Sequence, residues 1–170
     1  IAYTLARAPA VSFWDCGEYI SAANTLAVPH PPGAAAHHIV GRLGIMFFGW
    51  FSDLGARTNW LSALFSALTA GVGYLTAFRA IQMFQSKTER TAYLWVAGLG
   101  GLLAGTLTAF GDTFWFSAVE TEVYNFAMFF TLLGVWLMLE WTDLRSTPWG
   151  DRILVLVVYL SFLATNFTLF

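Results

Sequence analysis

The chain has 170 residues, of which 58% are apolar, 18% aromatic and only 11% charged, with a formal charge of −2 and a mean hydropathy of +0.64. Soluble domains carry about 25% charged residues, so this composition excludes an ordinary soluble globule, and the near-neutral charge leaves no basic footprint for nucleic acid. The single cysteine, Cys16, excludes an internal disulfide.

In chain order, residues 1–6 read as the tail of a first membrane helix that leaves lipid near Arg7 and Pro9. Residues 7–58 read as an external loop. It opens with the polar-aromatic stretch Ser12-Phe13-Trp14-Asp15-Cys16-Gly17-Glu18-Tyr19 and passes a breaker cluster, Pro29-His30-Pro31-Pro32-Gly33. Residues 34–51 are apolar, but His37, His38 and Arg42 stand in their first half, which predicts a juxtamembrane helix rather than a crossing. Residues 53–57 read as a loop, with Thr58 or Asn59 as the N-cap of the next helix. Spanning helices are predicted over 59–84, 92–111, 123–141 and 153–170, each close to the roughly 20 apolar residues that cross a bilayer. Ala63, Ala67 and Gly71, and again Ala97, Gly101 and Gly105, give small-residue stripes suited to close helix contact. Between the second and third spans lies a second acidic-aromatic loop, Gly111-Asp112-Thr113-Phe114-Trp115-Phe116-Ser117-Ala118-Val119-Glu120-Thr121-Glu122-Val123-Tyr124. Both chain ends fall in apolar runs, as expected of a fragment of a longer, single-domain membrane protein.

Charge distribution sets the expected topology. If residues 34–51 lie along the interface, both acidic segments share one side. Arg79, Lys87, Arg90, Arg145 and Arg152 then gather on the other, as the excess of basic residues in cytoplasmic loops requires. A crossing by residues 34–51 would instead put the Arg79–Arg90 group outside.

Asp15 and Glu18 stand three residues apart, so on a helix they share a face. A carboxylate at the lipid boundary is a functional candidate by default, and partial burial suits it to general-base work on a hydroxyl. A plainer reading competes: Ser12-x-x-Asp15 and Ser117-x-x-Glu120 both fit a capping box. Glu120 and Glu122 are two apart, so one of them is expected to face the Asp15 site. His30 sits on a rigid pre-proline piece, where it contacts a phosphate or anchors a turn. His37 and His38 point in different directions, which argues against a shared metal and for an interfacial polar face. Cys16 has no positive partner in the sequence and reads as a packing residue. Paired carboxylates permit a divalent metal without requiring one, and no metal ligand set is assigned.

The motifs Phe13-Trp14-Asp15-Cys16-Gly17-Glu18-Tyr19, His30-Pro31-Pro32-Gly33 with Gly41-Arg42-Leu43, and the segment from Asp112 to Tyr124 together resemble the transmembrane-protein-260-like family. That family belongs to the GT-C glycosyltransferases and has an animal member that is a protein O-mannosyltransferase. The resemblance runs from residue 12 to about 145 and implies an all-α, polytopic transmembrane helix bundle, the N-terminal portion of such an enzyme. It implies a polyprenyl- or dolichyl-phosphate sugar donor, a protein Ser or Thr acceptor, and a place in a bacterial inner membrane or the ER membrane. The active loops would then face the external or lumenal side. It makes Asp15 the expected catalytic base with Glu18 assisting. His30 and Arg42 are the candidates for the carrier phosphate, with Asp112, Glu120, Glu122 and Tyr124 completing the site. The rival reading is a non-catalytic membrane subunit of a larger complex, whose mark would be Asp15 and Glu18 capped, dry and remote from any opening.

Overall fold

The structure is a computed structural model that describes all residues except Pro32, Lys87, Thr88, Leu169 and Phe170, together with the side chains of all described residues but Arg90 and Thr168. The described residues form only helices: α1 (Ala2–Ala6), α2 (Cys16–Thr25), α3 (Ala35–Phe47), α4 (Leu54–Met83), α5 (Glu89–Ala92), α6 (Leu94–Phe110), α7 (Asp112–Val119), α8 (Tyr124–Leu144) and α9 (Gly150–Thr168). Leu54–Met83, Tyr124–Leu144 and Gly150–Phe167 are long and apolar enough to cross a membrane. A fourth crossing exists if α6 and α7, which meet at a 62° bend, count as one span.

Helix α4 is the axis of the bundle, and its start corrects one expectation. Residues 53–57 are not a loop. Asp53, not Thr58 or Asn59, is the N-cap, its carboxylate accepting from Ala56 N at 3.0 Å. An extended Asp before a helical run satisfies a donor that would otherwise be orphaned. Thr58 and Asn59 are buried instead.

Helices α4 and α8 run parallel. Near their starts Asn125 donates to Ser62 O, and near their ends Arg79 meets Asp143 at 2.7 Å and Glu140 at 3.3 Å. Helix α6 runs back along α4. The stripe on α6 behaves as expected: Ala97, Gly101 and Gly105 are buried, and a Cβ on Gly101 would lie 2.9 Å from Tyr74 O. The small-residue stripe on α4 does not meet it. Gly71 faces open space, and α4 presents Ala70, Gly73 and Tyr74 to α6 instead. Spacing alone cannot say which face of a helix finds a neighbour. Helix α9 returns along α8, where Phe167 stacks on Phe126 and Phe130.

This arrangement puts both acidic segments at one end of the bundle. Arg79, Arg145 and Arg152 stand at the other; Lys87 and the side chain of Arg90 lie outside the described residues. Helix α3 has 13 residues, about 20 Å of helix, too short for a hydrocarbon core of about 30 Å. It lies at the acidic end, where Gly44 abuts Leu61 of α4 and Gly41 abuts Ala23 of α2.

Two further expectations change. His37 and His38 do not form a polar face, since they are 1% and 4% exposed. His37 packs edge-on against Phe126 with ring centroids 5.0 Å apart. The second acidic segment is not all loop, because Asp112–Val119 form α7.

Candidate active site

The site is assembled from the start of α2, the turn that carries His30, and the extended link between α7 and α8. Asp15 is the N-cap residue of α2, but its side chain makes no capping hydrogen bond. Glu120 terminates α7 rather than starting a helix. The capping-box reading therefore fails at both places. Trp14, immediately before Asp15, holds φ at 56°. That left-handed conformation is costly for a bulky residue and marks a place where the surrounding fold imposes the backbone. It throws the Trp14 ring outward, 91% exposed.

Glu18 and His30 form a two-point clamp. Glu18 Oε1 accepts from the His30 backbone N at 2.6 Å, and Glu18 Oε2 meets His30 Nδ1 at 2.8 Å. The other ring nitrogen, Nε2, lies 3.9 Å from Asp15 Oδ2. The bond from Glu18 raises the His30 pKa above the ordinary histidine value, with the charges of Glu18 and Asp15 adding to it. The same bond holds the Glu18 carboxyl below the usual carboxylate range. All three side chains are open to solvent, with Asp15 and Glu18 55% and 41% exposed. One ligand atom from each lies within 4.8 Å of the others, a spread that a divalent ion could draw together.

Tyr19 is the floor of the site. Its ring lies 5.9 Å from His30, 5.5 Å from His37 and 6.1 Å from His38, and it packs in a small buried cluster with Ala34 and Val123. Burial pushes its hydroxyl up to about 12, helped by negative charge on Glu122, Asp15, Tyr124 and Glu18. The groups that act on this one hydroxyl thus come from both acidic segments.

Glu122 is the most perturbed carboxyl in the site. Burial pushes its pKa up to about 7, the charges on Glu120 and Asp15 push the same way, and the Val123 N–H and His30 oppose them. Tyr124 opens α8, 57% exposed, and lines an open groove of about 460 Å³ with Thr113, Ser117 and Met128. The fold thus brings Asp15, Glu18, His30, Glu122 and Tyr124 together, and Glu120 reaches them through its charge on Glu122. Two predicted residues stand apart. Arg42 donates to Asn24 O at 2.8 Å and Asn24 Oδ1 at 3.0 Å, about 13 Å along α2 from Asp15. Asp112 starts α7, about 12 Å along that helix from Glu120.

Sequence reasoning missed the polar knot beneath these groups. Asn59, fully buried on α4, donates from Nδ2 to Ala8 O at 2.9 Å and Ala10 O at 2.8 Å. Thr121 Oγ1 donates to Asn59 Oδ1 at 2.6 Å and lies 2.7 Å from the Thr58 hydroxyl. The available signal was a Thr-Asn pair opening an apolar run, which reads as a cap when only local chemistry is considered.

Residues 15–170 match the family described as the N-terminal domain of protein O-mannosyl-transferase TMEM260. The chain belongs to this family. It is 30% identical over 123 residues to the mouse protein O-mannosyl-transferase TMEM260, covering 72% of this chain and 15% of that protein. It is 26% identical over 141 residues to the Dictyostelium discoideum protein of the same name, covering 80% of this chain and 16% of that one. The chain therefore spans about one sixth of the length of these relatives. No solved structure matches it.

Proposed function

We propose that this chain forms the catalytic end of a GT-C-type membrane glycosyltransferase, one that moves a sugar from a polyprenyl- or dolichyl-phosphate carrier to a Ser or Thr hydroxyl of a protein. The relatives' name supports O-mannosyl transfer. The observation that carries the reading is the convergence of two acidic segments, about a hundred residues apart in sequence, on one open site at one end of a helical bundle. In this reading that end faces the external or lumenal side.

Asp15 is the base. Its exposed, uncapped carboxylate accepts the proton of the acceptor hydroxyl as that oxygen attacks the anomeric carbon. The bond from the anomeric carbon to the carrier phosphate oxygen breaks, and its electron pair leaves on that oxygen, releasing the polyprenyl or dolichyl phosphate. In-line attack of this kind inverts the anomeric centre. Glu18 keeps His30 oriented and favours its protonated form, so the imidazolium can face the departing phosphate. Glu122, partly protonated near neutral pH, can donate a hydrogen bond to a sugar hydroxyl as well as accept one, with Glu120 and Tyr124 flanking it. Arg42 and Asp112 stand at the margins, where they serve the carrier or the acceptor rather than the reacting atoms.

The test is Asp15→Asn in the full-length protein, with polyprenyl-phosphate mannose and an acceptor peptide. Loss of a positioned base costs about 10²–10⁴ in rate, so transfer falls by that factor while the protein stays folded in the membrane. Transfer at the unmodified rate would remove Asp15 from the reaction.

A further inference from the structure

Thr121 lies between Glu120 and Glu122, and Cys16 directly follows Asp15. Both neighbours of the proposed site converge on one buried amide. Asn59 Oδ1 accepts from Thr121 Oγ1 at 2.6 Å, and the Cys16 thiol lies 3.9 Å from the same oxygen. The amide nitrogen holds Ala8 O and Ala10 O, the strand of chain that leads into Trp14 and Asp15. Ala8 N in turn donates to Val119 O at 2.8 Å, tying that lead-in to the end of α7. Asn59, Thr121 and Cys16 are all 1% exposed or less, so no water competes for these bonds.

An amide is suited to this place. It offers two donors and an acceptor oxygen on a short, stiff side chain, and Asn59 spends both donors on the lead-in to the first acidic segment and its oxygen on Thr121 of the second. Its own backbone belongs to α4, the longest helix of the bundle. We infer that Asn59, with Thr121, is a positioning residue that fixes the separation between the Asp15 and Glu122 segments. The inference rests on the transferase reading above and adds a residue that never touches substrate. A misplacement of about 1 Å between groups that act on one reaction can cost about 10²-fold in rate without altering what binds.

Full-length variants assayed with polyprenyl-phosphate mannose and an acceptor peptide test it. Thr121→Val keeps shape and removes the hydroxyl; Thr121→Ser keeps the hydroxyl; Asn59→Ser removes the amide. Thr121→Val and Asn59→Ser are expected to lower kcat by about 10–100-fold, with donor KM within about threefold. Thr121→Ser is expected to keep at least about a third of the rate. Because the two residues act as one knot, the double variant Asn59→Ser, Thr121→Val loses little more than the worse single variant. A normal kcat for Thr121→Val, or losses that multiply in the double variant, overturns the inference. Should Asn59→Ser fail to fold, the Val and Ser variants at position 121 still decide between hydroxyl and shape. Asp15→Asn in the same assay separates the two claims. If the parent protein itself transfers no sugar, the transferase reading is wrong; if Asp15→Asn transfers normally, Asp15 leaves the reaction and the spacing argued here has no base to set. If it is dead while Thr121→Val is normal, only the positioning role is lost.

Discussion

At the scale of single residues, the chemistry of the site comes from unequal burial of similar groups. Asp15 and Glu18 are wet, whereas Glu122 is half-buried beside two like charges, which pushes its pKa from 4.5 up to about 7. A carboxyl raised in the folded state is neutral in both states below pH 4.5. Between 4.5 and 7 the unfolded chain ionises more readily than the folded one, so stability falls through that window and stays reduced above it. Glu122→Gln removes this loss. Its melting midpoint is expected to match the parent at pH 4 and exceed it at pH 8, by about 2–4 °C for each kcal/mol recovered. Thermal unfolding of the detergent-solubilised full-length protein at the two pH values measures it, and equal gains at both would show that packing, not ionisation, is responsible. The acids themselves were legible in the sequence, as carboxylates set in an apolar chain. Their inequality was not, because burial depends on which segments pack together, as where Val123, next to Glu122, joins Tyr19 and Ala34 in a buried cluster.

At the scale of elements, hydropathy marked most of the long helices and missed their ends and faces. Helix α4 starts five residues before the predicted 59 because Asp53 caps it, and α8 runs to Leu144 rather than 141. The last predicted span, to residue 170, reaches Thr168 within the described residues. The α6 stripe was legible since three small residues at every fourth position suit close approach. Its partner on α4 was not, because Ala63 and Ala67 are just as small as Ala70 and Gly73. The contact itself gives a sharp expectation. A Cβ at Gly101 would press on the Tyr74 carbonyl, and at Gly105 on the Ala70 carbonyl at 3.0 Å, so neither helix can yield by turning a side chain. Gly101→Val should destabilise the bundle by about 1–3 kcal/mol, whereas Gly71→Val, which meets nothing within 4 Å, should be close to neutral. Thermal unfolding of the two variants side by side checks this, and equal losses would argue against the α4–α6 contact.

At the scale of the whole molecule, the parallel course of α4 and α8 leaves both acidic segments at one end and the arginines 79, 145 and 152 at the other. That polarity predicts a membrane orientation, with the basic end cytoplasmic. In inside-out and right-side-out vesicles of the full-length protein, Phe13→Cys and Ser146→Cys should react with a membrane-impermeant maleimide from opposite sides, Phe13→Cys from the external or lumenal one. Both residues are exposed, so labelling of the two from one side would overturn the orientation. The ion pairs of buried Arg79 with the part-exposed Glu140 and Asp143 hold the basic end together, since removing both acids would leave the buried guanidinium without a counter-charge.

The sequence by itself determined that this protein is a bundle of apolar helices with two acid-aromatic segments. Both features are local: they depend on which residues are apolar, and in what runs, whatever the chain later touches. The tertiary structure decided the rest: that α3 lies at the acidic end, that His30 stands between Asp15 and Glu18, and that Asn59 joins segments 49 to 62 positions away. These are long-range pairings, and the free energy that selects them comes from packing one helix face against another, which no window of sequence contains.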